Sequence, residues 1–85
     1  MAGQNNFYYV YLLESLSSPS RHYTGYSRNY SQRLSEHNSG KNPHTSKYRP
    51  WRIQTVLAFT EERRARDFER YLKSPSGRAF SRKRL

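Results

Sequence analysis

Phe7-Tyr8-Tyr9-Val10-Tyr11-Leu12-Leu13 carries no charge and no turn-forming residue; every side chain in it is aromatic or aliphatic. A β-favouring run that is apolar on both alternating faces reads as a strand covered from both sides, and therefore as the centre of its sheet. Period-two geometry sends Tyr9, Tyr11 and Leu13 to one face and Tyr8, Val10 and Leu12 to the other. Glu14 to Arg21 (ESLSSPSR) is a serine-rich break with one proline. His22-Tyr23-Thr24-Gly25-Tyr26 then reads as a shorter second strand, and the two form a hairpin with a loose loop.

From Asn29 the period changes. Asn29 suits a helix N-cap and Gly40 a C-terminal stop. Between them Tyr30, Arg33, Leu34 and His37 fall at i, i+3, i+4 and i+7, which is one helix face pointing toward the body of the protein. Lys41 to Pro50 (KNPHTSKYRP) is a basic loop. Trp51 to Phe59 alternates through Ile53, Thr55, Leu57 and Phe59 as a third strand. Thr60 suits the N-cap of a helix running to about residue 73, with Ala65, Phe68 and Leu72 as its apolar stripe. A short last helix spans about Pro75 to Arg82. The expectation is an α+β domain: a small, mainly antiparallel three-stranded sheet flanked by helices, in the order β-β-α-β-α-(α).

The chain has 85 residues and no cysteine. That length suits one domain, residues 1–85 with a core at about 7–82. Without cysteine there is no disulfide framework, thiol nucleophile or cysteine zinc site. His22, His37 and His44 fall on different elements, so no histidine zinc site is expected. The longest apolar run is too short to cross a bilayer, and the polar start, Met1 to Asn6, lacks a signal-peptide pattern. A cytoplasmic protein with no membrane partner is the expectation. Only 33% of residues are hydrophobic, yet eight Tyr, four Phe and one Trp argue for a small folded core in which tyrosine supplies much of the packing.

Sixteen Lys and Arg against six Asp and Glu give a net charge of +10, so the expected partner is a polyanion, and nucleic acid before membrane. Four of the acids (Glu61, Glu62, Asp67, Glu69) fall in the second helix, which leaves the other segments basic. Arg28, Lys41, Lys47, Arg49, Lys73 and Arg78 are the candidate nucleic-acid contacts. Chemistry needs more than charge. Glu69 borders the apolar stripe of its helix, where a carboxylate needs a cation, either Lys73 at i+4 or a metal ion. Arg33 has a plain role as the partner of Glu36, and His37 as a satisfied boundary residue.

Tyr9-Val10-Tyr11, then Tyr23-Thr24-Gly25, then Arg33 with His37 four residues on, then Ala65-Arg66-Asp67-Phe68-Glu69 with Leu72-Lys73 resemble in order and spacing the motifs of the GIY-YIG nuclease superfamily. The stretch His44-Thr45-Ser46-Lys47-Tyr48-Arg49-Pro50-Trp51 is similar to the third-strand entry of its small standalone bacterial members. The chain departs from the pattern in three places. Its first motif lacks the Gly and Ile, Thr24 replaces the second Ile, and no Asn follows Asn42.

The resemblance implies an endonuclease that hydrolyses DNA phosphodiesters with one divalent cation, Mg²⁺ or Mn²⁺. Glu69 would hold the cation and Arg33 would stabilise the charged transition state. Tyr11 or Tyr23 would be the general base, with His37 nearby and Gly25 allowing close backbone approach beside Tyr23. The alternative is a non-catalytic basic nucleic-acid-binding module on the same fold. The DNA structure recognised and the oligomeric state are open at this point.

Overall fold

The computed structural model describes residues 6–85. Residues 1–5, most of the polar start, lie outside the described residues. Strands β1 (Tyr8–Ser15), β2 (His22–Ser27) and β3 (Trp51–Phe59) form one sheet in the order β2-β1-β3, antiparallel throughout. The apolar run is thus the central strand, extended two residues beyond Leu13 to Ser15. The Ser15 hydroxyl, fully buried, donates to the Tyr48 carbonyl at 2.7 Å and accepts from the Ser18 amide at 2.9 Å. The serine-rich break is anchored to the sheet by these bonds.

Three helices complete the chain: α1 (Tyr30–Ser39), α2 (Glu62–Leu72) and α3 (Pro75–Arg84), with a 3₁₀ turn at Ser46–Tyr48. Asn29 caps α1 by accepting the Gln32 amide, and Gly40 ends it at φ +86°, left-handed backbone that favours glycine. Helix α2 starts one residue later than its threonine suggested. Its N-cap is Glu61, whose carboxylate pairs with Arg64 instead of capping, so Thr60 falls outside the helix. Helix α3 reaches Arg84, capped at its start by the Ser74 side chain accepting from the Gly77 amide.

Each sheet face has its own core. Tyr11, Leu13 and Trp51 pack with Tyr30 and Leu34 of α1, while Val10 and Leu12 pack with Ala65, Phe68 and Leu72 of α2 and Phe80 of α3. The division of β1 between faces is the one its alternation predicts. For β3 the single alternation fails. Leu12 pairs with Thr55 but Leu13 pairs with Ile53, so Gln54 is an extra residue in a β-bulge. The bulge puts Ile53 on the α1 side and Leu57 and Phe59 on the α2 side.

Candidate active site at the β2 edge

Strand β2 is an edge strand, and α1 and α2 flank it on opposite faces of the sheet. Where the helices approach around that edge they leave a cleft of about 580 Å³ lined by Tyr8, Tyr26, Arg28, Arg33, Arg66 and Glu69, with Ser27 and Glu62. The cleft therefore joins Arg33 of α1 to Glu69 of α2, 36 residues apart in the chain. Arg33 stands at the rim with its side chain 54% exposed, rather than toward the body as its helical spacing predicts. Its pair with Glu36, at 3.6 Å, is loose enough to yield to a better anion. Glu69 is much less exposed, at 19%, and Lys73 Nζ lies 2.9 Å from its carboxylate.

Tyr11 belongs to the central strand, yet its hydroxyl lies over the edge strand. Gly25 sits directly across from it, and a Cβ there would overlap the Tyr11 Cζ and hydroxyl oxygen. The close approach expected at Gly25 is thus made by Tyr11 and not beside Tyr23. Burial pushes the Tyr11 hydroxyl well above the ordinary tyrosine range, the neighbouring Tyr23 and Glu69 add to the rise, and Arg33 opposes it. The Tyr11 hydroxyl lies 3.4 Å from His37 Nε2. Tyr23 is half-buried and packs its ring on the same imidazole, with centroids 4.5 Å apart.

His37 is buried, and its Nδ1 lies 2.9 Å from the Thr45 hydroxyl. Burial first, and Arg33 second, lower the His37 pKa, which keeps the imidazole neutral at pH 7. A neutral ring has two tautomers. If Nδ1–H donates to Thr45, the Nε2 lone pair faces the Tyr11 hydroxyl and can accept its proton; in the other tautomer it cannot. Thr45, itself buried, is held by its backbone: its carbonyl accepts from Trp51 Nε1 at 2.9 Å and its amide donates to the Asn42 carbonyl. No periodicity marks Thr45, because it lies in a loop; its burial is the only sign of its contact.

The cleft gathers other residues that spacing alone did not single out. Arg28 stacks over Tyr8 and Arg66 over Tyr26, and Glu62 accepts from both Arg66 and the Tyr26 hydroxyl. Of the candidate nucleic-acid contacts, Arg28 lines this cleft, and Lys73 and Arg78 line a second one toward the other end of β2. Lys41, Lys47 and Arg49 lie on the exposed loop and line neither cleft. Arg49 instead packs on Gly40 and donates to the Ser46 carbonyl.

Among the described residues no group of three or more His, Asp or Glu side chains could enclose a metal ion. A hard divalent cation such as Mg²⁺ needs only one or two carboxylates when water and substrate phosphate complete its shell. The sheltered carboxylate of Glu69, at the wall of an open cleft, fits that requirement.

A family model for the GIY-YIG catalytic domain matches residues 7–84, and the chain belongs to that family. The family is one of nucleases, which sets the kind of function as hydrolysis with nucleic acid as the substrate class. No curated protein matches the chain. Among the described residues no helix is long and apolar enough to cross a membrane.

Proposed function

We propose that the protein is a metal-dependent DNA endonuclease whose reaction takes place in the cleft at the β2 edge. The observation that carries this reading is the meeting of Arg33 and Glu69 in one open cleft; Tyr11 is buried and lines neither cleft, but its hydroxyl feels the charge of both residues. A pure binding surface for a polyanion has no use for a sheltered carboxylate, which repels phosphate unless a cation lies between them.

Glu69 would hold the divalent cation, which when bound supplies Lewis-acid stabilisation of the phosphate and of the leaving 3′ oxygen. Arg33 presents a planar fork of donors to the non-bridging oxygens and offsets the charge that builds on phosphorus. Its exposure lets it turn from Glu36 to the phosphate. Tyr11 takes the proton from the attacking water as it passes its own hydroxyl proton to His37 Nε2. The imidazole is fixed for that task by Nδ1–H donating to Thr45. At 3.4 Å the Tyr11–His37 contact is long for O–H···N, as catalytic hydrogen bonds often are without substrate. Tyr23 supports the ring of His37 from the side. The fall of negative charge onto Tyr11 is opposed by burial and favoured by Arg33, so the residue depends on a cation and on His37 to act near neutral pH.

The Lys73–Glu69 pair favours one competing reading, a binding module in which Glu69 serves only its helix. Cleavage of labelled DNA by wild type and Glu69→Gln, with Mn²⁺ or with chelator, separates the two. We expect Mn²⁺-dependent cutting by wild type that is lost in Glu69→Gln while DNA binding persists. Full activity of that variant, or cutting in chelator, overturns the mechanism.

A further inference from the structure

Toward the other end of β2 lies a second cleft, of about 640 Å³, whose walls include Arg21, Tyr23, Lys73, Arg78 and Arg82. Leu12 and Leu72 form an apolar floor, and among the described residues no Asp or Glu side chain lines it. Its charges are unlike those of α2. Arg63, Arg64, Arg66 and Arg70 of α2 are each ion-paired with an acid of the same helix or of its N-cap, Glu61. By contrast, Arg21, Arg78 and Arg82 have no ion pair among the described residues. Arg78 and Arg82 stand one turn apart on α3, so both present their heads on one helix face. Arg21 is steadied over the ring of Tyr48, with its guanidinium 4.7 Å from the ring centroid.

The two clefts share one seam. Glu69 lines the first, Lys73 lines the second, and the two side chains touch at 2.9 Å. The rise along α2 between them is about 6 Å. We infer that the second cleft is a phosphate-binding groove for the strand that is cut, holding its backbone on one side of the scissile bond through Arg21, Arg78 and Arg82. This rests on the reading of the first cleft as the site of reaction. Lys73 is the hinge of the arrangement: a phosphate arriving in the groove competes for its ammonium and releases Glu69 to take a cation. Tyr23 lines the groove and packs on His37, so an occupant also touches the support of the imidazole.

The test compares Arg78→Ala/Arg82→Ala with Arg63→Ala/Arg64→Ala, which removes the same charge from positions lining neither cleft. Both pairs are made in a Glu69→Gln background and titrated with a fluorescent oligonucleotide over a range of salt. The groove variant should weaken binding by about tenfold at moderate salt and reduce the salt slope by between about one and two. The control pair should change the slope by much less. Circular dichroism checks that both variants fold. Equal effects of the two pairs, or no binding by the parent, overturn the groove. Cleavage is read separately in the Glu69 background. If wild type cuts DNA and the groove pair behaves as the control, the groove fails and the nuclease reading stands. If the groove pair alone loses its slope but wild type never cuts, the groove stands and the nuclease reading fails.

Discussion

Tyr11 reaches the edge of the sheet from the central strand because Gly25, across the ladder, has no side chain in its way. The proposed proton path ends at His37 Nε2, and Thr45 fixes the imidazole from its other side by accepting Nδ1–H. Thr45→Val keeps the shape of the residue but removes the hydroxyl. A ring whose Nδ1–H has no acceptor favours the other tautomer, and Nε2 then carries the hydrogen and cannot take one from Tyr11. The expected result is a loss in kcat of about tenfold or more, within the range of general-base effects, with Kd for DNA unchanged and recovery in Thr45→Ser. Single-turnover cleavage rates check it. Helical spacing put Arg33 and His37 on one face and Glu69 beside the apolar stripe of its helix, but only the family resemblance grouped them as a site. Thr45 was not legible in the sequence, since its position depends on how a ten-residue loop folds back. The rim position of Arg33 was also hidden, because spacing gives a direction around the helix and not the depth at which a long side chain ends.

At the scale of elements, the joint between α2 and α3 leaves no room for a side chain at Gly77. Gly77 is buried in the first turn of α3, and a Cβ there would overlap the backbone carbonyl of Tyr71. Backbone cannot swing aside as a side chain can, so α3 would have to lift off α2, separating Phe80 from Phe68 and Tyr71. Gly77→Ala should destabilise the fold by roughly 1–3 kcal/mol or more, seen as a lower urea midpoint. The order and type of the three strands and three α-helices followed from pattern and caps, while the 3₁₀ turn at Ser46–Tyr48 lay inside a stretch read as loop. Helix α2 starts beyond the position Thr60 implied because Glu61 holds extended backbone angles, which side-chain preference does not reveal. The bulge at Gln54 left no trace in composition, since apolar and polar residues can alternate in appearance while the pairing slips beneath them.

Across the whole molecule, charge is distributed with a plain logic. Each acid is paired with a nearby cation, and the basic excess that remains is spread along the β2 edge and the exposed loop. These surface pairs add little to stability, so the response of the fold to mild acid should come from His37. Above about pH 6.5 the residue is neutral in both folded and unfolded chains. Below that value the unfolded chain binds a proton that the buried, lowered-pKa imidazole declines, so stability falls as pH falls. Denaturant midpoints at about pH 7.5 and about pH 5.5 should therefore differ in wild type and converge in His37→Gln, in a window above the carboxylate range.

The extra residue in β3 makes that strand serve two masters. Before the bulge its odd-numbered residues Trp51 and Ile53 face the layer that holds Tyr11 and α1; after it the odd-numbered Leu57 and Phe59 face the layer that holds α2, and Val56 turns to the first layer. Gln54 is the phase step between the two halves. Its side chain is exposed, lines the second cleft and donates to the Leu85 carbonyl at 3.3 Å, so substitution there should leave the fold intact. Its deletion should not, because the two halves would fall into step and one set of anchors would face the wrong layer. Position 54 thus carries information as a count as well as a side chain: for the fold its presence matters more than its identity, because it sets which layer each later residue of β3 faces.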